Sequence, residues 1–348
     1  MSDYLELKKF KDINLNDEFF DSLKNDYAEF EEWFKRKSDK EAYILEQDGN
    51  IMGFLYLKVE DGPINDISPI LDVSKALKMG TLKIDAHGTK LGERFIKKTL
   101  DHAIYENSEV CYVTVFDKHT ALIDLLKRYG FVQYGIKRTA NGEEQVLVKS
   151  LKNLQNDVLL DYPLIPINSI KKYLLAIYPE YHTKMFPDSI LRNETYDILE
   201  DVSYTNSIHK IYVCAMPVYI LNPGDVVVIY RTSDDQGPAE YRAVATSICV
   251  VEEVKCKNEF SNFQEFYKYA NQYSIFDKGD LNYWFTRRNC YTIKMTYNAA
   301  LKKRITRKIL ADEIGLNREE RWGFIELTDG QLRLILEKGD ANESIIID

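Results

Sequence analysis

At 348 residues the chain is long enough for two cores of ordinary size, and 45% hydrophobic with 29% charged residues is the balance of a globular protein. Its net charge of −9 is unevenly distributed, so an anion could be attracted locally despite the acidic whole. No stretch approaches the roughly eighteen unbroken apolar positions of a membrane helix, Met1 to Lys11 lacks the apolar core of a secretory signal, and the five scattered cysteines form no CxxC pair, so a cytoplasmic protein without a disulfide framework or structural metal is expected.

In chain order, a strand-like run at Tyr4 to Phe10 leads into two amphipathic helical stretches, Asp17 to Tyr27 and Ala28 to Arg36. The β-prone runs Ala42 to Leu45 and Ile51 to Val59 flank Asp48, Gly49 and Asn50, which predicts a hairpin. Leu77 to Ala86 predicts a strand that passes through a glycine-bearing loop into a helix with Leu91, Phe95, Thr99 and Ala103 on one face. A further strand at Val110 to Phe116, a helix over His119 to Tyr129 closed by Gly130, a strand at Phe131 to Ile136 and a turn at Asn141 and Gly142 complete the first half.

From Leu151 to Ser207 four prolines, Pro163, Pro166, Pro179 and Pro187, break the pattern into short pieces, so this stretch reads as a connector. Short strands follow at His209 to Cys214, Asp225 to Arg231 and Tyr241 to Val254, with helical stretches at Phe260 to Tyr273 and Lys302 to Glu313. The expected domains are 1–150, a connector 151–207, and 208–348.

The segment from Leu82 to Phe95 ends a strand, turns through Gly88 and Gly92 and opens a helix, which converges backbone N–H groups on one spot suited to a pyrophosphate. With the order of strands and helices over the first 150 residues, it resembles the GNAT acyltransferase superfamily, whose pyrophosphate loop reads Arg/Gln-x-x-Gly-x-Gly/Ala. His87 stands at the Arg/Gln position, Lys90 at the first Gly, and Gly92 matches. The resemblance implies an α/β domain, a mixed sheet flanked by helices, that holds acetyl-CoA through Ile84, His87, Gly88, Thr89, Lys90, Leu91, Gly92, Glu93 and His119; an ordinary strand-to-helix loop is the alternative.

The run His119 to Phe131 is similar to the family's Asn-x-x-Ala-x-x-x-Tyr-x-x-x-Gly-Phe helix, with Gly130 and Phe131 matching. His119 replaces the Asn, Leu122 the Ala, and Leu126 the Tyr that in many members acts as an acid toward the departing thiolate. His119 is then either an acid and cofactor contact or an exposed helix-start residue. Glu46, Glu60 and Asp85, on or just after the central strands, are candidate bases or solvated strand-end carboxylates.

The second half, with Asn222-Pro223-Gly224-Asp225 opening a strand, resembles the PUA/ASCH class of small β-barrels over Ile208 to Leu336. That resemblance implies an α+β barrel domain and RNA as a partner. Independently, Leu281 to Lys308 carries eight basic and no acidic residues, interleaved with Tyr283, Trp284, Phe285, Tyr291 and Tyr297. Candidate nucleic-acid contacts are Lys210, Arg231, Arg242, Arg287, Arg288, Lys302, Lys303 and Arg304; the alternative is a barrel core beside one solvated helix face. The sequence thus supports an acetyl-CoA-dependent N-acetyltransferase acting on an RNA-linked or protein amine. Its rivals are a non-catalytic acetyl-CoA-responsive RNA-binding regulator and a toxin–antitoxin component acting on translation.

Overall fold

The computed structural model describes residues 5–85, 90–168, 170–189 and 207–348. The chain forms two compact units, Met1–Asn153 and Leu154–Asp348.

In the first unit the elements run β1 (Glu6–Lys9), α1 (Asp21–Asp26), α2 (Phe30–Arg36), β2 (Glu41–Gln47), β3 (Asn50–Asp61), β4 (Lys75–Ile84), α3 (Leu91–Tyr105), β5 (Val110–Val115), α4 (Thr120–Arg128), β6 (Val132–Thr139) and β7 (Gly142–Ser150). The seven strands make one sheet in the order β1-β2-β3-β4-β5-β7-β6. β2 and β3 are joined by Asp48 and Gly49, both with positive φ, a two-residue turn whose twist suits a hairpin.

Alternation along β3 sorts the two faces. Phe54 and Tyr56 pack with Phe20 before α1 and with Phe30 and Phe34 of α2, whereas a Cβ at the intervening Gly53 would lie 2.8 Å from Leu91 and Phe95 of α3. Helices α1 and α2 therefore cover one face and α3 the other. α3 buries Leu91, Phe95, Ile96 and Leu100, each stabilising by roughly 1.5–3 kcal/mol.

One irregularity breaks the regularity of this sheet. Along the β3/β4 ladder Tyr56 pairs with Thr81 and Leu57 with Met79, so Gly80 is an extra residue bulged out of β4. A Cβ there would stand 2.7 Å from the Tyr56 ring, so the bend is open to glycine without displacing that ring. The parallel ladder between β4 and β5 runs from Ala76/Val110 to Met79/Val113 and stops there, one residue before the bulge. Beyond it β4 continues beside β3 to Gly53/Ile84, while β5 continues beside β7 to Val115/Gln145. The two central strands diverge.

The second unit comprises α5 (Val158–Asp161), β8 (Ile165–Pro166), β9 (Lys172–Ile177), α6 (Pro179–Met185), β10 (His209–Cys214), β11 (Val226–Arg231), α7 (Ala239–Arg242), β12 (Val244–Cys256), α8 (Phe263–Ala270), α9 (Lys278–Thr286), β13 (Tyr291–Thr306), α10 (Arg307–Asp312), β14 (Phe324–Leu327), α11 (Asp329–Lys338) and β15 (Ile346–Ile347). Six strands pair in the order β10-β13-β12-β11-β9-β14, and β8 pairs with β15. Among the described residues this is an open mixed sheet: no pairing joins β10 to β14, and the expected barrel is not closed. β9, within the stretch read as a connector, lies inside this sheet, parallel to β11 and antiparallel to β14.

A second correction concerns Lys302 to Glu313, expected as a helix. β13 runs on through Thr306 because Ile305 and Thr306 pair with Ala245 and Val244 of β12. The helix starts only after Thr306, whose hydroxyl accepts from the Ile309 N–H as an N-cap. Among the described residues no helix is long and apolar enough to cross a membrane.

Candidate active site

The gap between β4 and β5 opens into a cleft of about 1070 Å³. On the α3 side its wall is formed by Ile84 of β4, Lys90 and Gly92 at the start of α3, and Leu122, Leu125 and Arg128 of α4. No side chain of Lys90 caps α3, and the positive end of that fifteen-residue helix faces the cleft. Gly92 has a packing role here, because a Cβ would come 2.7 Å from Leu125.

On the α1/α2 side the wall is formed by Tyr27, Phe30, Trp33, Lys78, Thr81 and Glu144. Tyr27 follows α1, and its hydroxyl donates to Glu144 Oε1 at 2.7 Å. Burial, then the neighbouring Glu144 charge, pushes the Tyr27 phenol far above its ordinary value, so it stays protonated and keeps donating. Glu144, on β7, is only 3% exposed. Two acids follow the Asn141-Gly142 turn, and strand alternation sends Glu143 outward to Arg138 at 2.9 Å and Glu144 inward. That period-two pattern was the available signal for Glu144, and sequence reasoning passed over it; nothing local to Tyr27 marks it.

Of the expected catalytic residues, His119 and Asp85 line the cleft and Glu46 does not. His119 is the N-cap position of α4, with Nε2 3.3 Å from Asp26 Oδ2; Asp26 also accepts from Lys118. Asp85 follows β4 and pairs with Lys83 at 3.4 Å. Glu46 lies on the β2/β3 hairpin, held by Lys8 at 2.8 Å. Burial opposes ionisation of Glu60, yet hydrogen bonds from Lys58 and Tyr112 outweigh it and hold the carboxyl below its ordinary value. Among the cofactor candidates Ile84, Lys90, Gly92 and Glu93 line the cleft, while Leu91 is 1% exposed and packs inward. His87, Gly88 and Thr89 lie outside the described residues.

Leu126, at the position of the family's tyrosine, is 0% exposed and is absent from the cleft wall, which takes Leu122 and Leu125 from the same helix. A hydroxyl at 126 would enter the core.

In the second unit the eight expected nucleic-acid contacts do not form one exposed face. Lys210 and Arg231 are 1% and 3% exposed. Arg242 is clamped by Asp234 through two nitrogens, and Arg304 donates to the Asp188 carbonyl at 3.5 Å. Arg287 stacks over the Tyr283 ring at 4.3 Å and Arg288 is exposed beside it. Lys302 and Lys303 are exposed on β13. The buried Lys210 instead lies 5.5 Å from the Tyr297 ring, near a polar cluster in which Ser189 Oγ meets Ser247 Oγ at 2.7 Å and the Tyr297 hydroxyl at 2.9 Å. There His182 Nε2 meets the Thr246 hydroxyl at 2.7 Å; burial, reinforced by the Arg231 and Arg304 charges, pushes its pKa down to about 3.

No family model and no curated protein matches the chain. Similar solved structures include GNAT acetyltransferases and an ASCH protein, each covering less than half of it. An ASCH protein of Zymomonas mobilis is 9% identical, covering 48% of this chain and 95% of its own at a TM-score of 0.33. The N-acetyltransferase PseH of Campylobacter jejuni is 16% identical over 42% of this chain and 97% of its own, TM-score 0.27, and a GNAT-family acetyltransferase of Streptococcus pneumoniae is 16% identical over 35% and 75%, TM-score 0.26. These likenesses are too partial to assign an activity.

Proposed function

We propose that the first unit is an N-acyltransferase that takes its acyl group from acetyl-CoA bound in the gap between β4 and β5. The observation that carries this reading is the end of the β4/β5 ladder at Met79/Val113, from which a cleft of about 1070 Å³ runs to the start of α3. That volume lies just above the roughly 300–1,000 Å³ of small-ligand sites, which suits a nucleotide carrying a long arm. Past the last rung, the facing edges of β4 and β5 present backbone donors and acceptors to an amide-bearing arm, and the α3 N-terminus with Lys90 faces phosphate charge.

Acetyl-CoA supplies an activated acyl group on sulfur. An acceptor amine entering from the α1/α2 side meets Phe30 and Trp33 as apolar walls and Glu144 as a carboxylate able to take its proton. Tyr27 orients that carboxylate by its hydrogen bond. Holding the two reactants in one cleft supplies the rest of the rate enhancement by proximity.

The second unit offers Arg287, Arg288, Lys302 and Lys303 as exposed cations, with Tyr283 beside Arg287, which supports an RNA-linked acceptor. A regulatory reading, in which acetyl-CoA is a ligand only, is favoured by the α4 side of the cleft wall, where Leu122 and Leu125 offer no proton to a departing thiolate. Calorimetry with acetyl-CoA tests the binding, and release of free CoA in the presence of amine acceptors separates the two readings. No heat of binding at millimolar acetyl-CoA overturns both.

A further inference from the structure

Lys78 lies on β4 one residue before the ladder ends, opposite Lys58 of β3 and Tyr112 of β5. Alternation along β3 places Lys58 on the same face as Phe54 and Tyr56, so Lys78 stands on the α1/α2 face, the side from which an acceptor reaches the gap. Its side chain is half-buried and lines the cleft together with Gly80, Thr81 and Thr114, which flank the opening.

The charged groups around it are already matched elsewhere. Asp66, in the loop after β3, is held by Lys137 of β6 at 2.5 Å. Glu60 of β3 is held by Lys58 at 2.5 Å and accepts from the Tyr112 hydroxyl. Among the described residues Lys78 makes no ion pair within bonding distance; its Nζ sits 5.2 Å from the centre of the Tyr112 ring. Burial first, and then the Lys137 charge, hold its pKa below the ordinary lysine value, with Glu60 and Asp66 acting against them. A larger share of the neutral amine is present at a given pH than for a solvated lysine.

We propose that Lys78 is a self-acylation site: its neutral Nζ attacks the thioester carbon of an acyl-CoA seated in the β4/β5 gap. The C–N bond forms as the C–S bond breaks, CoA leaves as the thiolate, and the nitrogen's surplus proton passes to solvent or to that thiolate. The product is an uncharged amide on the acceptor side of the cleft, which removes a cation and fills space beside the opening. This inference rests on acyl-CoA binding as read above.

The test incubates the full chain with acetyl-CoA over pH 6.5–9, maps acetylated peptides by mass spectrometry, and measures acetyl-CoA affinity by calorimetry on the same preparation. Expected is one acetyl group at Lys78, appearing at least tenfold faster than at the exposed Lys9, Lys302 and Lys303, with its rate levelling at lower pH than theirs. Lys78→Arg, checked for retained CoA affinity, should lose that adduct. Binding with no adduct at Lys78, or an adduct no faster than at the exposed lysines, overturns the proposal and leaves the acyltransferase reading standing. Absence of binding overturns both.

Discussion

The Tyr27 hydroxyl donates at 2.7 Å to the Glu144 carboxylate, linking the end of α1 to the start of β7 across 117 positions of sequence. Because the phenol is held protonated, the pair acts as one fixed donor and one oriented carboxylate rather than two exchanging acids. Glu144→Gln is expected to lower kcat/KM for amine acetylation by about a hundredfold or more, with acetyl-CoA affinity within twofold of the parent. Tyr27→Phe should cost less, since it only frees the carboxylate to move. Steady-state kinetics of CoA release with calorimetry checks both; equal losses of affinity and turnover would count against a role in the chemistry.

Gly80 fixes where β4 parts from β5. Gly80→Val places carbon within 2.7 Å of the Tyr56 ring, costing about 1–3 kcal/mol if the bulge persists. Acetyl-CoA affinity should fall at least tenfold while circular dichroism shows the sheet retained. Unchanged affinity would separate the gap from the binding site.

His182 titrates the second unit. Its folded pKa of about 3 lies below the ordinary 6.5, so the unfolded chain binds the proton first as pH falls. The stability tied to the neutral ring is complete above about pH 6.5 and is lost downward from there, at up to ~1.4 kcal/mol per pH unit, until the folded pKa is passed. Urea unfolding at pH 7, 6, 5 and 4 should show this slope, and His182→Gln should flatten it. An identical pH dependence in the variant would assign the slope to other groups.

Lys302 and Lys303 are exposed on one strand, Lys303 lying 3.8 Å from the Asp340 carboxylate, whereas Arg304 is engaged by the Asp188 carbonyl. Replacing both lysines with Ala should therefore weaken binding of single-stranded RNA and reduce its log–log salt slope by roughly 0.7 for each phosphate contact removed. Fluorescence anisotropy between 50 and 300 mM salt reads this directly, and an unaltered slope would exclude that strand as a phosphate contact.

The layout of the first unit was legible because its signals are local: the Asp48-Gly49 turn, the helix ended at Gly130, and the Asn141-Gly142 turn each announce themselves within a few residues. The split of the sheet was not, since a bulge at Gly80 is defined only by its partner strand. Leu126 shows the limit of matching by spacing alone, because α4 turns that position into the core and presents Leu122 and Leu125 to the cleft. Gly92 is a similar case: it matches the loop pattern by spacing, yet a Cβ there would come 2.7 Å from Leu125, so packing against α4 also bears on the choice of glycine. In the second unit, basic residues on strands pointed inward as readily as outward, and only the pairing of the flanking Ala300 and Ile305 with Ser247 and Ala245 of β12 puts Lys302 and Lys303 within a strand.

Four rungs, Ala76/Val110 to Met79/Val113, pair β4 with β5. The strands on either side form two half-sheets with a short common seam, so a guest lodged in the gap becomes a substitute for the missing rungs. Occupancy should then raise the melting temperature of the entire unit in step with concentration, by the equivalent of ~2.7 kcal/mol at a hundredfold excess over Kd.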